Sequence, residues 1–497
     1  MDRFDANFMR PLKLNTIHMN KASYLITPII LFLLSYSLNG QNPVKITNEC
    51  DCKVVFQDLV NKLEKNYIGL RQKQITNTAK DYEERKQIFE QKSIAVSPEN
   101  CAEFLDEFLN YFDDGHLHVI ERPNYSESEL NEYKKSIKED MLKQDSLNQD
   151  IQLGYDTKID QAKDLIIGNW TDGVSRFIVL KAKDEYHAYI AETSKESIEA
   201  GELKAIFKPK DNGYTLRYYS YNYGPVYTRG EIYKNGQLLR AGHVFWKKVK
   251  PTYSIPIDEV VDFKKPRLDI INTKTTLLTI PSFEHDFNYF KEFIEENQLY
   301  IKNSRNLIID IRGNRGGNGV YFDLIELFAT QNMSGSQGLV LASDDNLAYF
   351  ERQMQYSKRV YKPVVQRIKN NMGKIVDGPQ YPEKKFRISD NLIENVAILT
   401  DHGSASASES FILHSKRASS KVKTFGTPTA GMIDYTSVNS LLLNSGKQNI
   451  LLAYPTSTLH KFIPNQGFNQ TGIVPDVQLN EYMNDPIKYI TDYFNNN

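Results

Sequence analysis

Apolar and polar positions divide the chain into three regions, the first of which has the spacing of amphipathic helices. Between residues 41 and 125, apolar side chains recur every three or four positions, first from Val54 to Leu63 and again from Phe104 to Phe112. The second segment stops at Asp113-Asp114-Gly115, where the glycine is expected to take the left-handed conformation that ends many helices. The pattern predicts a small N-terminal helical unit over residues 41–125.

The second region, residues 126–258, has the pattern of short strands. Its first part, from Ser126 to Asp150, is highly charged and is expected to be a solvated helix or linker. Apolar runs of strand length follow, separated by turn sequences such as Asp211-Asn212-Gly213 and Lys234-Asn235-Gly236. The runs are Phe177–Leu180, His187–Ile190, Leu203–Phe207 and Tyr214–Tyr219. We therefore predict a linker and an all-β insert, shaped either as a barrel or as a sandwich.

In the third region, residues 259–497, strand-like and helix-like segments alternate. The strand-like runs are Thr276–Ile280, Leu307–Ile311, Leu339–Ala342, Val396–Leu399 and Val422–Phe425. Helical spacing is found at Asn288–Leu299, Val320–Thr330 and Phe411–Arg417. Because such alternation is typical of βαβ units, we predict an α/β core in which helices pack on a largely parallel sheet.

Composition places the chain among soluble globular proteins. Its 497 residues are too many for one ordinary core, 40% are hydrophobic and 25% are charged. The formal net charge is −1, which gives no reason to expect nucleic acid or an anionic membrane as the main partner.

The N-terminus has the pattern of a secretion signal. Lys21 precedes an apolar stretch from Tyr24 to Leu38, with small residues near Gly40, and Met19 is an alternative start. The stretch is shorter than the roughly 20 residues of a membrane span, so residues 1–40 are predicted to be a signal peptide, with an uncleaved anchor as the alternative. The protein is then expected to be periplasmic, surface-exposed or secreted, and membrane-bound only if the segment is retained.

Export would allow a disulfide among the three cysteines. Cys50 and Cys52 are too close in sequence for an easy bridge, so Cys101 is expected to pair with one of them. The Cys-Asp-Cys spacing is not that of zinc ligands, and we expect neither a metal site nor an organic cofactor.

The run from Gly403 to Glu409 carries the first candidate chemistry. It follows the apolar run Val396–Leu399, so we expect a strand, a tight turn and the start of a helix. A serine there lies at the positive end of the helix, beside backbone N–H groups with no partner within the helix. It could be a helix cap, part of a phosphate-binding turn, or a nucleophile whose oxyanion those N–H groups would stabilise.

A glycine-rich loop and three histidines could complete an acyl-transfer site. Residues 313–319 contain four glycines directly after a buried strand, and exposed N–H groups in such a loop suit an oxyanion. A serine nucleophile also needs a base. The candidates are His116, which directly follows the break at Gly115, and the loop residues His402 and His460.

Four motifs and one shorter match resemble those of the S41 serine peptidases, which include the C-terminal processing proteases and the tricorn core. Asp310 to Gly317 resembles the family signature D-x-R-x-N-x-G-G, and Ser404 to Glu409 its nucleophile segment. Thr427-Pro428-Thr429-Ala430-Gly431 is similar to the loop that follows, Gly472 to Asp476 to the late G-V-x-P-D, and Asp114-Gly115-His116 to the tricorn-like D-G-H. The all-β insert lies outside this resemblance, in the place of the usual PDZ-like segment.

The resemblance implies a crotonase/ClpP-like core and a peptide or protein substrate. It makes Ser406 the nucleophile and Glu409 a supporting catalytic residue, and it places the N–H of Ala407 in the oxyanion hole with that of Gly316 or Gly317. Met432 stands where family members with a Ser-Lys dyad have lysine, which favours the tricorn-like subgroup and His116 as general base.

Two other functions are compatible with the same sequence. Asn469 lies where the tricorn-like subgroup has an acidic residue, so the chain could keep the fold and bind a peptide or ligand without cleaving it. Alternatively, the β insert could bind a surface partner or a glycan while the core serves as a scaffold.

Overall fold

The structure, a computed structural model, describes residues 50–75, 79–139, 164–210, 213–233, 238–241, 244–249, 265–381, 383–388, 391–459, 467–469, 471–480 and 483–496. The predicted signal peptide, the second part of the charged stretch and the candidate base His460 lie outside these residues. Within the described residues, no helix is both long and apolar enough to cross a membrane.

The elements follow the three regions of the sequence. The helices are α1 (Cys52–Asn66), α2 (Ile68–Ile75), α3 (Ala79–Ser93), α4 (Cys101–Leu109), α5 (Glu127–Glu139), α6 (Phe287–Asn303), α7 (Phe322–Glu326), α8 (Asp344–Gln353), α9 (Lys358–Asn370), α10 (Ala407–Ala418) and α11 (Pro486–Asn496).

The strands before the third region are β1 (His118–Glu121), β2 (Gly168–Thr171), β3 (Ser175–Ala182), β4 (Glu185–Thr193), β5 (Leu203–Lys210), β6 (Gly213–Tyr219), β7 (Pro225–Tyr233), β8 (Leu238–Ala241) and β9 (Val244–Lys248). Those within it are β10 (Arg267–Asn272), β11 (Thr275–Thr279), β12 (Asn306–Asp310), β13 (Ser336–Leu341), β14 (Ile375–Tyr381), β15 (Asn395–Thr400), β16 (Val422–Gly426), β17 (Tyr435–Leu442), β18 (Ile450–Thr458) and β19 (Val477–Gln478).

The helical unit packs around aromatic side chains and is closed by a disulfide. Phe56 of α1 meets Phe108 of α4 edge to face, with ring centroids 5.0 Å apart, and both side chains are fully buried. The disulfide joins Cys52 to Cys101, one of the two pairings expected, and so links the first turns of the same two helices. Cys50 is a free thiol.

The chain leaves this unit through a turn that differs from the prediction. The left-handed residue is Asp113, with φ 52°, and Gly115 does not have a positive φ. Gly115 is needed for a different reason, because a Cβ atom there would lie 2.6 Å from Cγ of Met432. The glycine therefore allows close packing and does not end the helix.

Strands β2–β9 form a closed antiparallel barrel, the first of the two shapes predicted for the insert. Neighbours pair in the order β7-β6-β5-β4-β3-β2-β9-β8, and β8 pairs back with β7. Its buried cluster is aromatic: Phe177 stacks on Trp246 at 4.2 Å between ring centroids, and Phe207 meets the same indole edge to face.

The barrel is continuous with a second group of antiparallel strands. β7 pairs with β1, β1 with β18, and β18 with both β13 and β17, while β14 pairs with β13. Residues 339–342, predicted to belong to the parallel sheet, fall on β13 and its end. That prediction was wrong because the chain crosses α8 and α9 after β13 and returns beside it as the antiparallel strand β14.

A separate six-stranded sheet has the order β10-β11-β12-β15-β16-β19, in which all pairs except β10–β11 are parallel. Alternate residues of β12 serve its two faces, as the two-residue period of a strand requires. Leu307 and Ile309 pack in the cluster that includes Phe290 of α6, whereas Ile308 packs with Ile490 of α11. Helices therefore cover both faces, and the loops after β12 and β15 meet at one edge.

Candidate active site

Ser406 lies between the buried strand β15 and α10, in the strand–turn–helix arrangement predicted for it. Its backbone has φ 55° and ψ −112°, a region that residues with a side chain rarely adopt. Such strain is typical of functional turns, since the surrounding structure has to hold the residue in place. The turn places the serine at the N-terminus of α10, where the helix dipole is positive.

Hydrogen bonds distinguish Ser406 from the two serines beside it. The hydroxyl of Ser404 donates to the carbonyl of Ile311 at 2.9 Å, and that of Ser408 donates to the carbonyl of Asn314 at 2.7 Å. Both side chains are fully buried. Only Ser406 is partly exposed, and its Oγ lies 3.1 Å from Nε2 of His116.

A tight turn before β1 positions His116. The backbone N–H of His116 donates to Oδ1 of Asp114 at 2.9 Å, and the Tyr67 hydroxyl donates to Oδ2 at 2.8 Å. The other ring nitrogen, Nδ1, is 3.9 Å from Asp114 Oδ1, which is too far for a hydrogen bond. No side-chain acceptor among the described residues lies within hydrogen-bond distance of Nδ1. Asp114 therefore fixes the turn rather than binding the imidazole directly.

The environment of His116 keeps the imidazole neutral. Burial, and then the positive charge of Arg315, lower the pKa of His116 to about 4, although the backbone of Tyr435 acts in the opposite direction. Burial also raises the pKa of Asp114 to about 6, because it outweighs the hydrogen bond from Tyr67, and nearby Asp434 adds to the rise. A neutral imidazole in contact with a serine hydroxyl can accept its proton.

Glu409 holds the turn together and does not contact the imidazole. Its carboxylate accepts hydrogen bonds from the N–H groups of Ser406, Gly431 and Met432, at 2.9, 2.9 and 2.8 Å, and from the Thr429 hydroxyl at 2.6 Å. Burial raises the pKa of Glu409 despite these four donors. The geometry is that of a residue that supports the serine by positioning its turn.

The glycine loop is tied to the serine turn through Asn314. The carbonyl of Asn314 accepts from Ala405 N–H at 2.9 Å, and its Oδ1 accepts from Gly316 N–H at the same distance. Gly316 has φ +94°, and a Cβ atom on it would lie 2.6 Å from the nitrogen of Ala407. Loop and turn are therefore in close contact at the start of α10.

Of the N–H groups predicted for an oxyanion hole, that of Gly316 is already bonded to Asn314. Gly317 has φ +139°, and a Cβ atom there would lie 2.3 Å from the backbone of Phe283 and Glu284. The N–H groups of Gly317 and Ala407 donate no hydrogen bond to other described residues. These two are the better candidates for stabilising a negative oxygen.

The remaining predicted positions lie around this centre in different ways. His402 is exposed, whereas the side chain of Met432 packs against Gly115 and accepts a hydrogen bond from Arg315 through its sulfur at 3.2 Å. The backbone N–H of Asn469 donates to Asp434 at 2.9 Å. No group of three or more His, Cys, Asp or Glu side chains in the described part of the chain is arranged to hold a metal.

Several residues around the site were not predicted. Tyr67 supports Asp114, Arg315 lowers the pKa of His116, and Glu231 of the barrel lies 3.1 Å from Arg315. Tyr67 and Glu231 stand far from any motif in sequence and gave no signal. Arg315, between the asparagine and the glycines of the 310–317 motif, could have been noticed.

A comparison with protein families identifies the third region. The sequence pattern of "Peptidase family S41" matches residues 274–479, which contain the glycine loop, Ser406 and Glu409. Residues 274–479 belong to peptidase family S41. His116 and the barrel lie outside this S41 segment. A search of curated proteins found no match to the chain.

Solved structures similar to this chain include S41 peptidases, at low identity. Mature CPAF in complex with lactacystin is 13% identical, covers 86% of this chain and 94% of its own, and has a TM-score of 0.43. The photosystem II D1 C-terminal processing protease is 10% identical, covers 86% of this chain and 93% of its own, and has a TM-score of 0.35. A lipoprotein from Streptococcus agalactiae is 13% identical, covers 90% of this chain and 96% of its own, and has a TM-score of 0.38.

Proposed function

We propose that this protein is a serine peptidase that works through an acyl-enzyme on Ser406. The observation that carries the proposal is the 3.1 Å contact between Ser406 Oγ and Nε2 of an imidazole held neutral. In the proposed reaction, Nε2 accepts the hydroxyl proton as Oγ bonds to the peptide carbonyl carbon. The same proton then passes to the leaving amine as the C–N bond breaks, and water hydrolyses the ester by the reverse sequence.

The negative oxygen of the tetrahedral intermediate would be stabilised by the N–H groups of Ala407 and Gly317. The first lies at the N-terminus of α10, where the helix dipole adds to the hydrogen bond. The reaction as proposed uses only groups of the protein and water.

We place the protein with the histidine-dependent, tricorn-like members of the family rather than with those that use a Ser-Lys dyad. Support comes from Met432, whose side chain lies between Gly115 and Arg315 at the position where a lysine would be expected. We also infer that the six-stranded sheet corresponds to a crotonase/ClpP-like core, because its central strands are parallel and helices cover both faces.

The substrate class is a peptide or protein, and we propose that the protein acts outside the cytoplasm. The Cys52–Cys101 disulfide supports this location, since such bonds persist mainly in oxidising compartments. The apolar segment from Tyr24 to Leu38 supports it independently, as the pattern of a signal peptide.

A peptide library tests the activity without knowledge of the specificity. The purified protein would be incubated with a complex peptide mixture, and new termini would be detected by mass spectrometry. New termini should appear with the wild type and with the control His402→Ala, and not with Ser406→Ala or His116→Ala. A wild type that yields no new termini, or a Ser406→Ala variant that yields the same ones, would refute the proposal.

A second function, peptide binding without cleavage, is favoured by one observation. Nδ1 of His116 has no carboxylate within hydrogen-bond distance among the described residues, whereas an efficient catalytic histidine is usually oriented by one. In that case the library would stay intact, and a subset of its peptides would be retained equally by the wild type and by Ser406→Ala.

A further inference from the structure

Strand β7 presents a polar face to the rest of the molecule. Tyr227, Arg229 and Glu231 alternate along the strand and therefore project from the same side of the sheet. Tyr227 packs in the apolar cluster of the helical unit, and Arg229 Nη2 lies 3.0 Å from Oδ1 of the fully buried Asp106 in α4. The same face of the strand continues beyond the helical unit to Glu231, which lies beside the candidate active site.

Glu231 is held between two guanidinium groups. Its Oε1 lies 3.1 Å from Arg315 Nη2, and its Oε2 lies 3.7 Å from Nη1 of Arg240, the residue directly opposite on β8. The exposed fractions of the Arg315 and Glu231 side chains are only 15% and 21%. In so enclosed a pair, removal of the glutamate charge takes away an interaction that holds the guanidinium of Arg315 in place.

Arg315 connects this pair to the reacting groups. It stands between Asn314, whose hydrogen bonds hold the serine turn, and Gly316, which touches the start of α10. Its guanidinium also donates to the sulfur of Met432 at 3.2 Å. A change in the position of Arg315 would therefore move the glycine loop relative to Ser406.

We propose that Glu231 is a positioning residue for the reaction at Ser406: by holding Arg315, the barrel fixes the glycine loop and its N–H donors beside the serine. The barrel is then part of the active site and not an appended binding module. The catalytic consequence rests on the proposed peptidase activity, whereas the effect on the glycine loop does not.

The first test measures the rate at which a fluorophosphonate probe labels the full chain. Glu231→Gln should label about 10- to 100-fold more slowly, because displacements near 1 Å have effects of that size. The double variant Glu231→Gln/Arg315→Met should label faster than Glu231→Gln alone, since the buried positive charge that Glu231 balances is then removed as well. The matched control is Glu192→Gln, which breaks an ion pair on the barrel. In that pair Oε2 of Glu192 lies 3.3 Å from Nη1 of Arg176, and the glutamate side chain is half exposed.

The pH profile of labelling separates positioning from loss of the fold. The groups around His116 are Arg315 on the glycine loop, Asp114 on its own turn, His118 on β1, Asp434 directly before β17, and the backbone of Tyr435, the first residue of β17. Because Glu231→Gln removes a negative charge beside Arg315, whose positive charge lowers the pKa of His116, the acidic limb of the profile should move to lower pH. In Glu192→Gln it should stay in place, with labelling at the wild-type rate.

The second test, hydrogen exchange, does not depend on activity. Amides of residues 313–319 should exchange at least about tenfold faster in Glu231→Gln, with β12 and α10 unchanged. The proposal would be overturned if Glu231→Gln exchanged and labelled at the wild-type rates. It would also be overturned if labelling of Glu231→Gln/Arg315→Met were slowed by the product of the two single-variant effects. A wild type that does not label, combined with faster exchange in Glu231→Gln, would refute the proposed function but support the positioning contact.

Discussion

At the scale of single residues, the site depends on which groups are already bonded and which are left available. Ser404 and Ser408 each donate to a backbone carbonyl and Gly316 donates to Asn314, so the hydrogen bonds of these groups hold the serine turn and the glycine loop in place. The Ser406 hydroxyl meets a neutral imidazole instead. Burial produces that neutrality at an energetic cost, since in water histidine titrates near pH 6.5.

The lowered pKa of His116 predicts an unusual acidic limit. In the folded protein the base is lost only as the pH falls through about 4, so labelling of Ser406 should persist down to about pH 5, with only a partial change near pH 6, where Asp114 is protonated. Arg315→Met removes a positive charge that lowers this pKa, and its acidic limb should therefore lie at higher pH than that of the wild type. A wild-type limb near pH 6.5, or no shift in the variant, would contradict the account.

Glu409→Gln tests the positioning role of the carboxylate. An amide cannot accept all four hydrogen bonds, and its own NH₂ would face N–H donors in a buried place. We expect a loss of about 2–4 kcal/mol in the free energy of unfolding and slower labelling of Ser406. Glu394→Gln, which removes an exposed ion pair with Arg305, serves as the control and should change stability by less than about 1 kcal/mol.

At the scale of elements, the site forms where three loops meet. The turn before β1 brings His116, the loop after β12 brings the glycines, and the turn after β15 brings Ser406. Parallel strands place the last two loops at the same edge of the sheet. The pairing of β1 with β18 and β7 brings the first from the antiparallel side.

The contact between Gly115 and Met432 is a sensitive point in this assembly. In Gly115→Ala the added Cβ would be 2.6 Å from Cγ of Met432, so the turn carrying His116 has to shift or the methionine has to move. We expect labelling to slow by about tenfold or more. Because the double variant Gly115→Ala/Met432→Ala provides space, it should label faster than Gly115→Ala alone, and failure to do so would argue against this contact.

At the scale of the whole molecule, the helical unit, the barrel and the S41 segment all contribute to one site. The helical unit supplies His116 and Tyr67, the barrel supplies Glu231, and the S41 segment supplies Ser406 and both candidate N–H donors. Changes at Tyr67, His116, Glu231 or Ser406 should therefore affect labelling of the serine.

The disulfide offers a test of how far the helical unit depends on a covalent link. Cys52 and Cys101 are separated by 49 positions, and closing a loop of that length is worth about 4 kcal/mol on the chain-entropy estimate. Cys52→Ser/Cys101→Ser should lower the denaturant midpoint of unfolding accordingly. Cys50→Ser, which leaves the disulfide intact, is the control and should unfold like the wild type; equal midpoints for both variants would contradict the estimate.

The sequence was sufficient for features that depend on local pattern. Apolar periodicity placed the barrel strands and most core strands, and the small-residue turn placed Ser406. It was insufficient where distant segments meet. Leu339 and its neighbours have the apolar pattern of any buried strand, so the sequence did not predict that β13 pairs with an antiparallel strand, β14. Glu231 and Arg315 are 84 positions apart in the sequence (315 − 231), and no periodicity or motif links them.

The most direct test of the central claim is to locate a covalent adduct. The purified full chain would be treated with a fluorophosphonate at pH 7, and the modified residue identified by tandem mass spectrometry. We predict one adduct, on Ser406, that is absent from Ser406→Ala and strongly reduced in His116→Ala. An adduct on Ser404, Ser408 or another residue, or a folded wild type that forms none between pH 5 and 8, would contradict it.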